Sequence, residues 1–160
     1  MNNDLLKSHA KSFYWASFFL SKKIYSKCSA LYGFCRTLDD IADSSEELGI
    51  KKQKFLKFKN DFVNKNFDNL IIKEMLGVIT DVNISGKVVL DLFDGVETDL
   101  DENVRIKTQK DLLVYSYRVA GTVGLMMSKI LKVDNKEALK GAIDLGIAMQ
   151  LTNIARDVIE

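Results

Sequence analysis

Residues 24–43 constrain the fold of this chain more than any other stretch, because their pattern inverts that of a solvated helix. At about 100° per residue, the polar side chains fall within an arc of about 100°: Tyr25, Ser29, Tyr32, Arg36, Asp39, Asp40 and Asp43. Apolar residues flank this arc on both sides. A surface helix instead carries one apolar stripe and a broad polar face. We therefore predict a helix that is buried among others and turns its charged edge towards an internal cavity.

The carboxylates of this first polar strip indicate a metal site. Asp39 and Asp43 lie one helical turn apart, and like charges at this spacing destabilise a helix by about 0.2–0.5 kcal/mol per pair. Arg36, one turn earlier, answers part of this charge. Mg²⁺ prefers oxygen ligands and is typically held by one or two carboxylates together with substrate phosphates. The strip is interpreted as half of a metal–phosphate site, and a solvated turn or helix end is the alternative for an isolated DDIAD motif.

Composition favours a helical chain and excludes one class of partner. The 160 residues suffice for one domain with a buried core. The 23 basic and 22 acidic residues nearly cancel, which argues against a nucleic-acid partner. The absence of proline and the modest number of glycines favour helices joined by short connections.

The cysteines and the apolar runs bear on the compartment. Cys28 and Cys35 are seven residues apart, about 10.5 Å along a helix axis, which exceeds the reach of a disulfide. Small core cysteines of this kind are typical of a reducing compartment. The first residues lack the apolar stretch of a signal peptide, and no apolar run is long enough to cross a bilayer. We expect a cytoplasmic protein, with peripheral membrane contact left open.

Helical periodicity is also evident elsewhere in the chain. Helices are predicted over residues 4–20, KKQKFLKFKNDF, residues 70–80 and 87–96, a long helix from Thr108 and Asp111 through LLVYSYRVAGTVGLMMSKIL, and a last helix that starts at Asp134 and Glu137. The lysines of KKQKFLKFKNDF are expected to be solvated, with contact with anionic lipid as the alternative. Small residues in the long helix suit close approach of either a neighbouring helix or a ligand: Ala120, Gly121 and Gly124.

The last helix carries a second polar strip. Four residues fall within an arc of about 60° at helical spacing: Gly146, Gln150, Asn153 and Asp157. Amide and carboxylate oxygens are plausible metal ligands, and a polar network that satisfies itself between helices is the alternative. If the two strips face each other across a cavity, they can hold Mg²⁺ against a diphosphate, with positive charge added by Arg36 and Arg156.

Four motifs follow one another in a familiar order: HAKSF, LYGFCRTLDDIAD, YSYRVAGTVGLMM and DLGIAMQLTNIARDVIE. In these motifs the chain resembles the squalene/phytoene synthase family. The residues of the last two motifs are most similar to those of its bacterial phytoene synthases. The resemblance implies an all-α fold, the isoprenoid synthase type I helical bundle around a central cavity. It implies that residues 1–160 are the N-terminal part of a single isoprenoid synthase domain, truncated at the C-terminus. The family's second acidic motif continues four residues after Asp157, so we expect this piece alone to be inactive.

The resemblance also assigns site residues. It implies that Mg²⁺, or Mn²⁺ in its place, is held by Asp39, Asp43, Asn153 and Asp157. It also assigns four residues to catalysis: Asp39, Asp43, Asp157 and Tyr32. The remaining residues match positions that bind substrate: His9, Lys11, Ser12, Arg36, Tyr115, Val119, Ala120, Val123, Gly124, Gln150, Asn153 and Arg156. Ala10 departs from the serine often found in the N-terminal segment.

The implied activity is head-to-head condensation of two prenyl diphosphates through a cyclopropyl intermediate, with Mg²⁺-assisted loss of diphosphate. Geranylgeranyl diphosphate giving phytoene is the first assignment. The alternatives are a squalene, dehydrosqualene or presqualene diphosphate synthase that uses farnesyl diphosphate, and a non-catalytic assembly protein of the same fold.

Overall fold

The computed structural model describes residues 19–101 and 106–158. These ranges are built from helices and turns, without a strand, so the all-α prediction is confirmed. The helices are α1 (Lys22–Asp43), α2 (Leu48–Val63), α3 (Leu70–Val82), α4 (Gly86–Asp99), α5 (Gln109–Ser116), a π-helical turn (Tyr117–Gly121), α6 (Thr122–Ile130) and α7 (Lys136–Asp157). The helix predicted over residues 4–20 lies outside the described residues, except for the two at its end.

Side-chain caps are present at four helix starts among the described residues, and two of these starts, those of α5 and α7, were predicted from the sequence. The Thr108 hydroxyl accepts a hydrogen bond from the Asp111 amide, and the Asp111 carboxylate accepts one from the Thr108 amide, each at 3.1 Å, as predicted. The start predicted at Asp134 is wrong by one residue. Asn135 is the cap of α7, because its side-chain oxygen accepts from the amides of the next turn, that of Glu137 at 2.9 Å. Asp134 instead pairs with Lys129.

Aromatic packing joins α1, α2 and α4. The buried Phe34 ring of α1 lies 5.4 Å from Phe58, 5.6 Å from Phe62 and 5.6 Å from Phe93, measured between ring centroids. Phe55 completes this cluster against Phe93. The lysine-rich α2 therefore buries an aromatic face, which fixes the C-terminal half of α1 within the bundle.

The long helix predicted from Thr108 is interrupted by the π-helical turn. The amide of Thr122 donates to the carbonyl of Tyr117, five residues earlier, and the Thr122 hydroxyl donates to the Arg118 carbonyl at 2.7 Å. Such turns insert one residue into a helix and are frequent at functional sites. Here the hydroxyl of Thr122 provides a hydrogen bond to the Arg118 carbonyl, where the regular α-helical pattern of backbone hydrogen bonds is interrupted.

Glycines bring α7 against the π-helical turn and α6, backbone to backbone. A Cβ atom added to Gly146 would lie 2.5 Å from the Ala120 oxygen, and one added to Gly124 would overlap the carbonyl of Ala142. The predicted close approach of a neighbouring helix at the small residues is therefore confirmed. No helix among the described residues has the length and apolar character required to cross a bilayer.

Candidate active site

A cavity of about 580 Å³ lies between α1, α4, the π-helical turn, α6 and α7. This volume falls in the range of about 300–1,000 Å³ that is typical of sites for small molecules. Its lining is mostly apolar: Cys35, Leu38, Leu92, Val96, Val119, Ala120, Val123, Gly124, Met127, Ser128, Leu131, Ala142, Leu145, Gly146 and Met149, with Asp39, Gln150 and Asn153 as larger polar side chains. The four residues predicted to face the substrate tail from Val119 to Gly124 all lie on its wall.

The two polar strips face this one cavity. Asp39 comes from the C-terminal half of α1, whereas Gln150 and Asn153 come from the C-terminal half of α7. Asp43 and Asp157 follow one helical turn after Asp39 and Asn153, and neither lines the cavity itself. The larger polar side chains of this mostly apolar lining therefore come from the two helices that carry the polar strips.

The surroundings of Asp39 hold more negative than positive charge. Burial and the charges of Asp43, Asp40 and Asp99 together raise the pKa of Asp39 to about 6, against the opposing effect of Arg36. A carboxyl group with a pKa in this range is the usual sign of desolvation together with like charges. Excess negative charge at the rim of a cavity favours the binding of a cation.

Asp99, at the end of α4, belongs to this cluster and was missed in the sequence. Burial raises the pKa of Asp99, the hydrogen bond from Tyr115 lowers it, and the charge of Asp43 raises it. The pKa of Tyr115 is raised by burial, by Asp99, and by Asp39 and Asp43. Asp99 lies in the acidic stretch ETDLDEN, which marks it as a candidate in the sequence. Its proximity to α1 depends on tertiary structure, so the sequence pattern does not reveal it.

The predicted arginines are engaged by neighbours on their own helices. Arg36 pairs with Asp40 at 2.8 Å, and Arg156 contacts Asp157 at 2.9 Å. Both arginines and both carboxylates remain accessible to solvent, so a bound anion can recruit the guanidinium groups. Tyr32 is half-buried on α1 and does not line the cavity. His9, Lys11 and Ser12 lie outside the described residues.

The cysteines serve as apolar packing. Both are free, as predicted from their spacing. Burial, and next the charge of Asp39, raises the pKa of Cys35 to about 12, so the thiol that lines the cavity stays neutral. The Cys28 thiol lies 3.5 Å from the Met127 sulfur. Neither is a metal ligand in this arrangement.

A divalent cation fits these residues only in combination with another ligand. Within residues 19–101 and 106–158, no group of three His, Cys, Asp or Glu side chains is arranged to hold a metal ion by itself. The Asp43 carboxylate is nevertheless close enough to Asp39 and Asp99 to raise the pKa of each. Mg²⁺ commonly uses one or two carboxylates and completes its shell with water and phosphate oxygens. The donor set matches that mode.

Comparison with known proteins identifies the family. The model of the squalene/phytoene synthase family matches residues 6–160. The chain belongs to the squalene/phytoene synthase family. The bifunctional lycopene cyclase/phytoene synthase of Phycomyces blakesleeanus is 32% identical over 97% of this chain and 30% of its own length. The 15-cis-phytoene synthase of Pantoea ananas is 32% identical over 100% of this chain and 58% of its own length.

A solved structure supports the same family at the level of the fold. A dehydrosqualene synthase in complex with a ligand matches with a TM-score of 0.78 and 30% sequence identity, over 97% of this chain and 54% of that protein. The fold is thus the isoprenoid synthase helical fold, as predicted. The chain spans about half the length of this structure and of its bacterial phytoene synthase relative.

Proposed function

We propose that this chain forms part of a head-to-head prenyltransferase that condenses two prenyl diphosphates. We assign geranylgeranyl diphosphate as substrate and phytoene as product, because phytoene synthases are 32% identical to the chain. The observation that carries the proposal is the shared cavity, which Asp39, Gln150 and Asn153 line together with apolar walls. Residues 1–160 are then the N-terminal part of a single isoprenoid synthase domain.

In this proposal, the first step is loss of diphosphate from an allylic prenyl diphosphate. Mg²⁺, or Mn²⁺ in its place, would supply positive charge for the leaving diphosphate when bound. The residues that would hold it offer oxygen atoms: Asp39, Asp43, Asn153 and Asp157. Arg36 and Arg156 exchange their carboxylate partners for diphosphate oxygens and so favour the departure of the leaving group.

The apolar walls protect the cation that remains on the prenyl chain. Val119, Ala120 and Val123 exclude water that would otherwise trap this cation as an alcohol. The double bond of a second prenyl diphosphate attacks the cation, and loss of a proton from the resulting cation closes the ring of a cyclopropyl intermediate. A second loss of diphosphate, rearrangement and loss of a proton then give phytoene without a reductant. Tyr32, assigned to catalysis by the resemblance, stays a prediction.

One alternative has a specific observation in its favour. The solved dehydrosqualene synthase is 30% identical to the chain, so farnesyl diphosphate is the second candidate substrate, with squalene, dehydrosqualene or presqualene diphosphate as product. The two assignments share the diphosphate site and differ in the length of the prenyl tail.

The 160-residue chain by itself should not turn over. Asp157 is exposed, and none of the residues of α7, all of which are described, is buried. Carboxylates that remain in water bind a divalent cation weakly, and the diphosphate that this cation would hold is therefore bound weakly too. Phytoene extracted after incubation of the purified chain with geranylgeranyl diphosphate and Mg²⁺ would contradict this expectation.

Binding tests the site without requiring turnover. Mg²⁺ together with geranylgeranyl diphosphate, at about 100 times the dissociation constant, should raise the Tm of the chain by about 5–10 °C. Asp39→Asn should remove this response, because it removes a carboxylate at the cavity. Asp144→Asn is the matched control, since Asp144 is exposed on α7 and does not line the cavity.

The outcomes separate the candidates. Greater stabilisation by farnesyl diphosphate than by geranylgeranyl diphosphate would favour the alternative substrate. An equal response of the Asp39→Asn and Asp144→Asn variants would refute the assignment of the carboxylate. Absence of stabilisation by either diphosphate with Mg²⁺ would refute the assignment of a diphosphate site to this part of the protein, and the same result with the full-length protein would favour a non-catalytic assembly protein of the same fold.

A further inference from the structure

The register between α6 and α7 fixes the long axis of the cavity. A Cβ atom added to Gly124 would overlap the carbonyl of Ala142, and one added to Gly146 would lie 2.5 Å from the Ala120 oxygen. The contact on α7 thus moves back by four residues while the contact on the other segment moves forward by four, so the two segments run antiparallel. Asn153 therefore lies level with α5, and the end of α6 lies at the opposite end of the cavity.

Helix α1 gives the depth of the cavity below its polar side chains. The Cys28 thiol lies 3.5 Å from the Met127 sulfur, and Asp39 follows Cys28 by eleven residues on the same helix. Eleven residues correspond to about 16.5 Å along a helix axis. Met127 is therefore about this far from the level of Asp39, and Leu131 lies about 6 Å further on.

The length of a prenyl tail can be compared with this depth. One isoprene unit adds four carbon–carbon bonds of about 1.5 Å to the main chain and extends it by about 5 Å. A farnesyl tail of three units therefore spans about 15 Å, and a geranylgeranyl tail of four units spans about 20 Å. When the diphosphate lies at the level of Asp39, the third unit ends near Met127 and the fourth extends towards Leu131.

The lining of the cavity leaves room for a fourth unit at this end. Ser128 and Leu131 line the cavity beyond Met127. The Ser128 hydroxyl donates a hydrogen bond to the Gly124 carbonyl at 3.0 Å, so this small side chain is turned back onto its own helix. Leu131 directly follows α6 and is 44% exposed. A tail that reaches this level therefore meets one small and one apolar side chain.

We propose that Ser128 and Leu131 determine the length of the prenyl tail, because they contact the fourth isoprene unit and not the first three. This inference rests on the proposed function and deepens its assignment of geranylgeranyl diphosphate over farnesyl diphosphate. Ser128 leaves the space that the fourth unit occupies, and Leu131 packs against the last carbon atoms of the tail. Both residues lie far from the reacting carbon, so they act on specificity and not on the chemical step.

The affinities of three prenyl diphosphates for the chain test this inference. The dissociation constants of geranyl, farnesyl and geranylgeranyl diphosphate are measured by isothermal titration calorimetry with Mg²⁺ present, below the concentrations at which these lipids aggregate. A fully buried CH₂ group contributes about fourfold to affinity. Five further carbon atoms, about half-buried beside Leu131, should therefore make geranylgeranyl diphosphate bind about 30-fold more tightly than farnesyl diphosphate.

Two variants shorten the cavity at its far end. Leu131→Trp places a larger side chain there, and Ser128→Leu fills the space next to it. Each variant should reduce the preference for geranylgeranyl diphosphate to less than about threefold, and should change the dissociation constants of the two shorter diphosphates by less than about threefold. Because Leu131 is partly exposed, Leu131→Trp keeps the test valid if circular dichroism shows that Ser128→Leu does not fold.

Leu56→Trp is the matched control, since Leu56 is 49% exposed on α2 and does not line the cavity. This control should keep the full preference. A wild-type preference below about threefold would overturn the inference and leave the diphosphate site in place. Folded variants that keep the preference, or that lose affinity for all three diphosphates equally, would also overturn it. Failure of the wild-type chain to bind any of the three would refute the diphosphate site in this part of the protein, and this inference with it.

Discussion

Gly146→Ala tests the close packing of α7 on the π-helical turn. The added Cβ would lie 2.5 Å from the Ala120 oxygen, 2.8 Å from the Ala120 carbonyl carbon and 3.0 Å from the Gly121 Cα. All three are backbone atoms, so no side chain can rotate away, and α7 must move outwards by close to an ångström. Overpacking of this kind costs about 1–3 kcal/mol, and the better helix propensity of alanine returns about 1 kcal/mol. Because the three contacts are with backbone atoms, the cost lies in the upper half of this range, about 2–3 kcal/mol, and we expect a net loss of about 1–2 kcal/mol.

Gly141→Ala is the matched control on the same helix. A Cβ at Gly141 meets nothing within 4 Å, so the variant should gain about 0.5–1 kcal/mol from propensity. The two variants should then differ by about 3–12 °C in Tm, measured by circular dichroism at 222 nm in the same buffer. A Gly146→Ala variant as stable as Gly141→Ala would show that α7 does not pack as described, and the position of Gln150 and Asn153 would lose its support.

Three further predictions concern the core, the site and the ion pairs that Asp81 makes with Lys23 and Lys27. Phe34→Ala should lose about 3–5 kcal/mol in urea unfolding, whereas the exposed Phe67→Ala should change stability by less than about 0.5 kcal/mol; similar losses would contradict the aromatic core. Tyr115→Phe should raise the pKa of Asp99 further, because a hydrogen bond to the ionised form is lost, and an unchanged carboxyl titration by NMR would contradict this. The Asp81→Asn variant should be less stable than wild type above about pH 4 and equally stable in acid, because the pKa of Asp81 is lowered in the folded state. A difference in stability that does not depend on pH would contradict the ion pairs.

The sequence predicted those features that one helix can encode. Both polar strips, that of α1 and that of Gln150 and Asn153, repeat every 3.6 residues. The spacing within each helix therefore predicts which of its side chains share one face. The capping box of Thr108 and Asp111 is likewise a local pattern. The family resemblance, carried by motifs that include both strips, was confirmed by the family match.

Other features depend on contacts between distant residues, which one sequence does not display. The π-helical turn depends on the hydrogen bond that the Thr122 hydroxyl donates to the Arg118 carbonyl. It also depends on the close packing of α7 at Gly146. Asp99 joins Asp39 because α4 ends beside α1.

The pKa of Asp39 connects stability with binding at the candidate site. The pKa is about 6 in the folded chain and about 4 for an unperturbed aspartate, so the folded state holds this proton more tightly. The free energy of unfolding must then fall as the pH rises from about 4 to about 6, and it stays lower above that range. At neutral pH the ionised carboxylate therefore opposes folding, and Asp39→Asn should raise the Tm of the unliganded chain while it removes the response to Mg²⁺ and diphosphate. A purely structural carboxylate would give the opposite sign in the unliganded protein, because its replacement would lower the Tm.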